Sequence, residues 1–309
     1  MSFCRYVGDL VTDIRLQSNN ADYSTSTGNS QDLFLRYIND AQDHLQAAIL
    51  NVHPQEFVTE VILTSASGTE IVSVPEDVFI NNRVISVEYS PTGQVGDYYK
   101  LRQKTFLERD TRSIGEPNFY IRSGNSIYLN PIPTRTASLR VLYYRELDDA
   151  AFRVAKISAN GTDTVTLENT VSNEDAAKLA VAEYVCISDR FGNPILRNGK
   201  VSSYNSGTRV ITFVANTSTY LVGSATITNA SDYLTIGQYT TTHPKLPRNA
   251  ERYLITYSAK RGLQKDANSV GQIVEDSEMM RMEMDIIESF SQPTEDVLGI
   301  PIIDKSILW

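Results

Sequence analysis

The sequence predicts an α+β fold with a small helical core of two amino-terminal and two carboxyl-terminal helices. Added to this core are a β-strand block, an inserted small β-barrel or sandwich, and an extended carboxyl-terminal arm. Apolar residues recur with a helical period near both ends and with a period of two across the middle, and helix breakers interrupt the apolar final residues. We expect helices plus strand block in residues 1–150, the inserted unit in 151–240, carboxyl-terminal helices in 241–292 and the arm in 293–309.

Two helices are predicted before the first strand. Residues 3–16 place apolar side chains at helical spacing, and a polar loop, Gln17–Ser30, follows them. A longer apolar stripe predicts the second helix, which should end near His53-Pro54 because proline interrupts helices. Its apolar positions are Phe34, Tyr37, Ile38, Ala41, Leu45, Ala48 and Ile49.

From Phe57 to Leu147 the apolar period changes to two, which is typical of strands. The strand block contains the runs FVTEVILT, RVISVEY, SIYLN and SLRVLYY, which are separated by turn formers. A second group of short runs predicts a small barrel or sandwich, and its place between strands and later helices suggests an insertion. These runs are FRVAKIS, DTVTLEN, EYVCISD, GKVSSYN, TRVITFV, SATITNA and YLTIG.

Two further helices are expected after the proline-rich joint at residues 243–247. The first continues to about Lys265, and the second spans roughly Gly271 to Phe290. In the second helix, alternating four- and three-residue steps predict a seam that packs against another helix. The seam consists of Ile273, Ser277, Met280, Met284 and Ile287.

Composition limits the classes of function. The formal net charge of -9 argues against a protein that grips nucleic acid, because such affinity comes mainly from Lys and Arg at phosphates. The two cysteines, Cys4 and Cys186, lie far apart, which indicates a reducing compartment without a disulfide framework. No apolar run approaches the roughly 20 residues of a membrane-spanning helix. A protein partner is therefore expected, and neither a membrane contact nor a secretory signal.

The sequence lacks the local signatures of catalysis and metal binding. Its histidines, His44, His53 and His243, are isolated, so we expect neither a metal nor a cofactor. There is no G-x-S-x-G elbow and no phosphate-binding glycine motif. Acidic pairs such as Asp148-Asp149 leave open a glycan-cleaving enzyme, which needs two converging carboxylates. The prediction is a protein without enzymatic activity.

Two features near the carboxyl end are candidate sites. Between Glu275 and Asp296 there are eight acidic residues against one basic residue, Arg281. They form either an ordinary solvated helix face or a channel lining that repels DNA phosphates. The channel-facing candidates are Glu275, Asp276, Glu278, Glu283 and Asp285.

The arm is the second candidate site, for a protein partner. Its large apolar residues are Ile300, Ile302, Ile303, Ile307, Leu308 and Trp309. One arm alone would bind weakly, because the entropy lost on ordering it opposes the gain from burial. Either a ring of identical subunits multiplies this contact, or the arm folds back on its own domain.

The order of several segments resembles one known family. The segments are FLRYINDAQDHL (Phe34 to Leu45), VPEDVFINNRVISVEY (Val74 to Tyr89), GEPNFYIRSGNSIYLNPIPT (Gly115 to Thr134) and RYLITYSAKRG (Arg252 to Gly262). They resemble the opening helix, the strand block and the returning helix of tailed-bacteriophage head-to-tail adaptors. The resemblance covers roughly residues 1–147 and 246–309, whereas residues 152–237 depart from the shorter adaptors.

The resemblance implies a structural virion protein of the phage neck, assembled in the host cytoplasm. Its partners would be identical subunits in a ring, usually dodecameric, the portal protein reached by the arm, and tail nozzle, tube or tail-fibre proteins. DNA would pass through the channel without specific binding. The alternative is a tail-fibre-associated or receptor- or carbohydrate-binding β-rich virion protein.

Overall fold

The computed structural model describes residues 4–18, 29–79, 84–108, 113–168, 171–228, 231–265 and 272–291. The chain divides into two compact units. The helix–barrel unit contains Met1–Ile49 and Asp148–Trp309, and the strand unit contains Leu50–Leu147. The predicted α+β class is confirmed, and the four-part domain division stays a prediction.

The helices follow the apolar stripes of the sequence, and the fully buried side chains of Leu10, Ile38 and Leu254 belong to these stripes. A further helix, which the sequence did not reveal to us, begins after Ser172, whose hydroxyl caps it by accepting from the Asp175 N–H at 3.0 Å. The helices are α1 (Val7–Gln17), α2 (Asn29–Val52), α3 (Asn173–Val181), α4 (Glu251–Lys265) and α5 (Gln272–Ser291).

Helices α2 and α4 are in contact through aromatic side chains and through a close approach of Gly262 to Phe34. The His44 Nδ1 and the Tyr253 hydroxyl are hydrogen-bonded at 2.7 Å, and the two rings stack at 16°. A Cβ at Gly262 would lie only 3.3 Å from the Phe34 ring. Glycine at this position therefore lets α4 approach the fully buried Phe34 closely.

The strand unit contains two sheets that share one apolar core. Its strands are β1 (Val58–Ser65), β2 (Ile71–Ser73), β3 (Val84–Ser90), β4 (Tyr99–Lys100), β5 (Arg102–Lys104), β6 (Phe119–Ser123), β7 (Ser126–Asn130) and β8 (Ala137–Tyr144). The strand orders are β1-β8-β3-β4 and β2-β7-β6-β5. Alternate residues of β8, such as Leu139 and Val141, enter the core, as the period of two predicted.

The second group of strands closes into a small barrel. This group contains β9 (Asp149–Ala150), β10 (Ala155–Asn160), β11 (Thr164–Leu167), β12 (Tyr184–Ser188), β13 (Pro194–Asn205), β14 (Val210–Phe213), β15 (Tyr233–Ile236) and β16 (Thr240–Thr241). The closed order is β10-β11-β14-β13-β12-β15, with β9 and β16 outside it. The predicted run SATITNA forms no strand over its described residues, 224–228.

The chain enters and leaves the barrel side by side, at a place that we call the neck (residues 148–151 and 239–247). There β9 and β16 pair in parallel, with Asp149 opposite Thr240. Two side chains of α2 bind this backbone. Asn39 donates to the Ala150 carbonyl at 3.2 Å and accepts from its N–H at 3.0 Å. Gln42 donates to the Asp148 carbonyl at 3.0 Å and accepts from the Lys245 N–H at 3.2 Å.

The amino-terminal segment binds the same neck from another side. The Cys4 N–H donates to the Leu246 carbonyl at 3.2 Å, and the Val7 N–H donates to the Thr242 carbonyl at 3.1 Å. The Arg153 guanidinium lies between the rings of Tyr6 and Tyr233, 4.0 Å from each centroid. The helices and the barrel are thus joined by specific polar and cation–π contacts.

A buried ion pair fixes the barrel to the neck. Asp148, whose side chain is 2% exposed, accepts from the Arg197 guanidinium at 2.6 Å. Arg197 lies on β13, where Lys200 also pairs with Glu183, at 3.7 Å and in the open solvent. Because a buried carboxylate without its cation is costly, the first pair is expected to matter much more than the second.

Arg197→Met is expected to lower the free energy of unfolding by about 3 kcal/mol, since it removes the guanidinium that is paired with the buried Asp148 carboxylate. The matched variant on the same strand, Lys200→Met, is expected to lower it by less than about 1 kcal/mol. Urea denaturation followed by circular dichroism measures both values. Equal effects of the two substitutions would contradict a structural role for the Arg197 pair.

His243 lies in the neck in an environment that favours its neutral form. Its Nδ1 is hydrogen-bonded to the Thr242 hydroxyl at 2.8 Å, and a Cβ at Gly192 would come within 2.7 Å of the His243 side chain. Burial, assisted by the positive charges of Arg153 and Lys245, lowers the pKa of His243 to about 4. In the unfolded chain this histidine has its ordinary pKa of 6.5. Between pH 6.5 and 4 the unfolded chain therefore binds a proton at His243 that the folded chain does not bind.

Stability is accordingly expected to fall as the pH drops from 6.5 towards 4, because protonation favours the unfolded chain in this window. His243→Asn keeps a polar group near Thr242 but cannot gain a charge, so its stability should fall less steeply between pH 6.5 and 4. Val181→Asn, at an exposed residue of α3 without a titratable side chain, serves as the control and should leave the loss of stability between pH 6.5 and 4 unchanged. The measurement is the free energy of unfolding as a function of pH. An unchanged slope in His243→Asn would contradict the assignment.

Candidate functional site

The arm predicted to bind a partner lies outside the described residues, so the roles of its six apolar side chains stay predictions. The same holds for the side chains of Glu275 and Asp276 at the start of α5. Three of the predicted channel-facing carboxylates, Glu278, Glu283 and Asp285, can be placed in the structure.

One face of α5 packs against α4. Ile286 is buried there, and Asn249 donates to the Ser289 hydroxyl at 3.0 Å near the end of the helix. Glu278 forms an ion pair with Arg252 of α4. Glu283 is half-buried, and its charge adds to the effect of burial in raising the pKa of Tyr253.

Asp285 differs from these two carboxylates because it is exposed to solvent. Of the three carboxylates that can be placed, Glu278 is thus tied to α4 and Glu283 interacts with it electrostatically. A channel-facing role for any of the three stays a prediction.

The opposite face of α5 carries two apolar side chains among charged ones, and both are uncovered in the described part of the chain. Met280 and Met284, one helical turn apart, are each 70% exposed. No helix covers these two methionines in the described part of the chain, and the seam predicted through them stays a prediction. The helix carries a second apolar stripe through Met279 and Ile286, of which Ile286 is buried and Met279 half-buried. The sequence period alone did not distinguish the two stripes.

A basic cleft lies at an edge of the second sheet of the strand unit. Its lining residues are Arg102, Lys104, Asn118 and Phe119, and its volume is about 460 Å³. Strand β5 ends the order of this sheet and pairs in parallel with β6. The Lys104 ammonium lies 4.5 Å from the Phe119 ring centroid and 3.4 Å from the Glu108 carboxylate. Arg102 is exposed.

Apolar side chains continue this surface beyond the cleft. Leu107, in a short 3₁₀ helix that follows β5, is 98% exposed, and its neighbour Phe106 is 49% exposed. The Phe106 ring meets Tyr128 edge-on at 5.6 Å. We call Arg102, Lys104, Phe106 and Leu107 the β5 surface.

The β5 surface was not predicted from the sequence. Its signal was the alternation of Arg102 and Lys104 along β5, followed after one residue by two large apolar residues. The alternation shows that these basic side chains share one side of the strand. It does not show that a cleft lies beside them.

The described residues give little support to a catalytic site. They contain no group of three or more His, Cys, Asp and Glu side chains placed to hold a metal ion. The Asp148 carboxylate forms an ion pair with Arg197. The pKa of Asp149 is raised, mainly by burial and also by the charge of the neighbouring Asp148. None of the four side chains lining the basic cleft is a carboxylate.

Among the described helices, none is both long and apolar enough to cross a membrane.

The comparison with protein families agrees with this picture. The family model of the SU10 adaptor protein matches residues 6–185, more than half of the chain. The match covers α1, α2, both sheets of the strand unit and the barrel as far as β12. It confirms the resemblance to phage head-to-tail adaptors and extends it into a region that we expected to depart from the family, whereas the segment Arg252 to Gly262 lies beyond it.

A search of curated proteins gives no match to the sequence. The family model, however, covers enough of the chain to decide membership. The chain belongs to the SU10 adaptor protein family, a family of phage head-to-tail adaptors.

Proposed function

We propose that this protein assembles into a ring that connects the portal to the tail and continues the DNA channel. The support is the family match over residues 6–185, because the family consists of structural phage adaptors. Membership by itself implies a virion protein of the phage neck that interacts with other head and tail proteins. The ring, the portal contact and the channel are the further steps of the proposal.

Exposed apolar side chains on both units support association with other proteins. Leu107 in the strand unit is 98% exposed, and Met280 and Met284 in the helix–barrel unit are each 70% exposed. Clusters of such residues are typical of interaction surfaces. The net charge of -9 is consistent with a channel that DNA crosses without adhering to it.

The arm is the proposed contact with the portal. It contains six large apolar residues between Ile300 and Trp309, and each gains roughly 1.5–3 kcal/mol when buried. Fixing the backbone of one residue costs about 1–2 kcal/mol, so a single arm binds weakly. Many arms presented by one ring would act together and bind a matching ring firmly. In this proposal the protein performs no catalysis.

Deletion of Pro301–Trp309 is expected to give a folded subunit that no longer incorporates into phage heads. Folding is measured by circular dichroism and thermal denaturation, and incorporation by the protein content of purified particles. A full-length control with serine at Ile300, Ile302 and Ile303 separates the apolar character of the arm from its length, and it should fail as the deletion does.

Normal incorporation of both variants into phage heads would contradict the proposal that the arm contacts the portal. A full-length protein that stays monomeric and binds no portal ring would contradict the adaptor function itself. If a saccharide raised the thermal midpoint of the protein, the alternative of a carbohydrate-binding virion protein would gain support instead.

A further inference from the structure

We propose that the exposed face of α5 in one copy of the chain docks on the β5 surface of the next copy. This inference rests on the proposed ring and names the two surfaces that would form its repeated contact. The two surfaces lie in different units of the chain and are complementary in apolar character and in charge.

The apolar groups are suited to each other. Leu107 and Phe106 project from the β5 surface, and Met280 and Met284 project from α5 one turn apart. Methionine side chains adapt to irregular surfaces, and their sulfur atoms make favourable contacts with aromatic rings. Burying these four side chains against each other would remove several of the largest exposed apolar groups of the described chain from water.

The charges are also complementary. Arg102 is exposed at a cleft of about 460 Å³ that offers space for a partner side chain. On α5, Asp285 is exposed beside Met284, within a stretch of eight acidic residues and one basic residue between Glu275 and Asp296. A guanidinium can bind a carboxylate through two parallel hydrogen bonds, which strengthen the contact and also define its orientation. We therefore pair Arg102 with Asp285 of the neighbouring copy.

The β5 surface fits a protein better than it fits DNA. Glu108 lies 3.4 Å from the Lys104 ammonium and already offsets its charge. The fully exposed Leu107 beside it has no counterpart in a phosphate backbone. Affinity for DNA grows with the number of cations that reach phosphates, and this surface offers few.

A contact between two different patches also explains a ring. A copy that uses its β5 surface for one neighbour still has its α5 face available for a second, so the contact repeats from copy to copy and forms a ring when the rotation between copies closes. A contact between identical patches would stop at a dimer. In this arrangement Asp285 lies between subunits, and it cannot also face the channel.

Disulfide cross-linking tests the contact directly. Full-length Leu107→Cys and Met284→Cys proteins are prepared separately, mixed and oxidised, with and without purified portal rings. The two native cysteines are buried, and burial is the main cause that raises the pKa of Cys4 to about 12, so neither should interfere. The expected product is a cross-linked pair in the mixture and none in either variant alone. Val181→Cys, at a residue 84% exposed on α3, replaces Leu107→Cys in the matched control and should give no product.

Charge reversal gives an independent test. Arg102→Glu and Asp285→Arg are each expected to weaken subunit association about tenfold, because each places like charges opposite one another. The double variant should recover to within about threefold of the natural protein, since the pair is restored in reverse. Arg190→Glu, an equal charge change at an exposed arginine near the barrel, should have little effect. Mass photometry over a concentration series measures association.

The outcomes separate this inference from the proposed function. Rings that form normally in all reversal variants, with no cross-link in either condition, would overturn the α5 contact and leave the adaptor function standing. Absence of rings and of portal binding in the natural protein would contradict both. If Arg102→Glu abolished binding of a fluorescent DNA duplex without changing association, the β5 surface would be a DNA contact and the inference would be wrong.

Discussion

The hydrogen bonds from Asn39 and Gln42 to the neck are the contacts on which the helix–barrel unit depends. Gln42 is fully buried and uses both ends of its amide, one on each of the two chain segments that border the barrel. Buried backbone groups that lose such partners are costly, because no water replaces them. One helix thus satisfies the polar groups of both segments, and α4 and the barrel are placed relative to α2 as a result.

The sequence predicted the parts of the fold that local periodicity determines. The stripe from Phe34 to Ile49 marked α2, and alternation marked strands such as β8, because each pattern follows from one face of an element being buried. Helix α3 lacked such a stripe, since only Leu179 of its nine residues is buried. The pairing of β9 with β16 joins two short segments far apart in the chain, and no local pattern indicates it.

The candidate sites were predictable to a smaller degree. Composition drew attention to the acidic helix, but it did not distinguish Glu278, which is held by Arg252, from the exposed Asp285. The cleft beside Arg102 depends on a parallel neighbour, β6, that the sequence did not place next to β5. Interaction surfaces are in general harder to predict than cores, because exposed residues obey weaker rules of spacing than buried ones.

The contacts of the amino-terminal segment with residues 246–251 determine when the helical core can close during synthesis. Cys4 binds the carbonyls of Leu246 and Pro247, and Arg5 binds Glu251, the first residue of α4. On the ribosome these partners emerge after the strand unit, which is one continuous stretch of the chain, and after the barrel. The amino-terminal segment of the nascent chain therefore lacks these partners, and the helical core cannot close, until both the strand unit and the barrel have been synthesised.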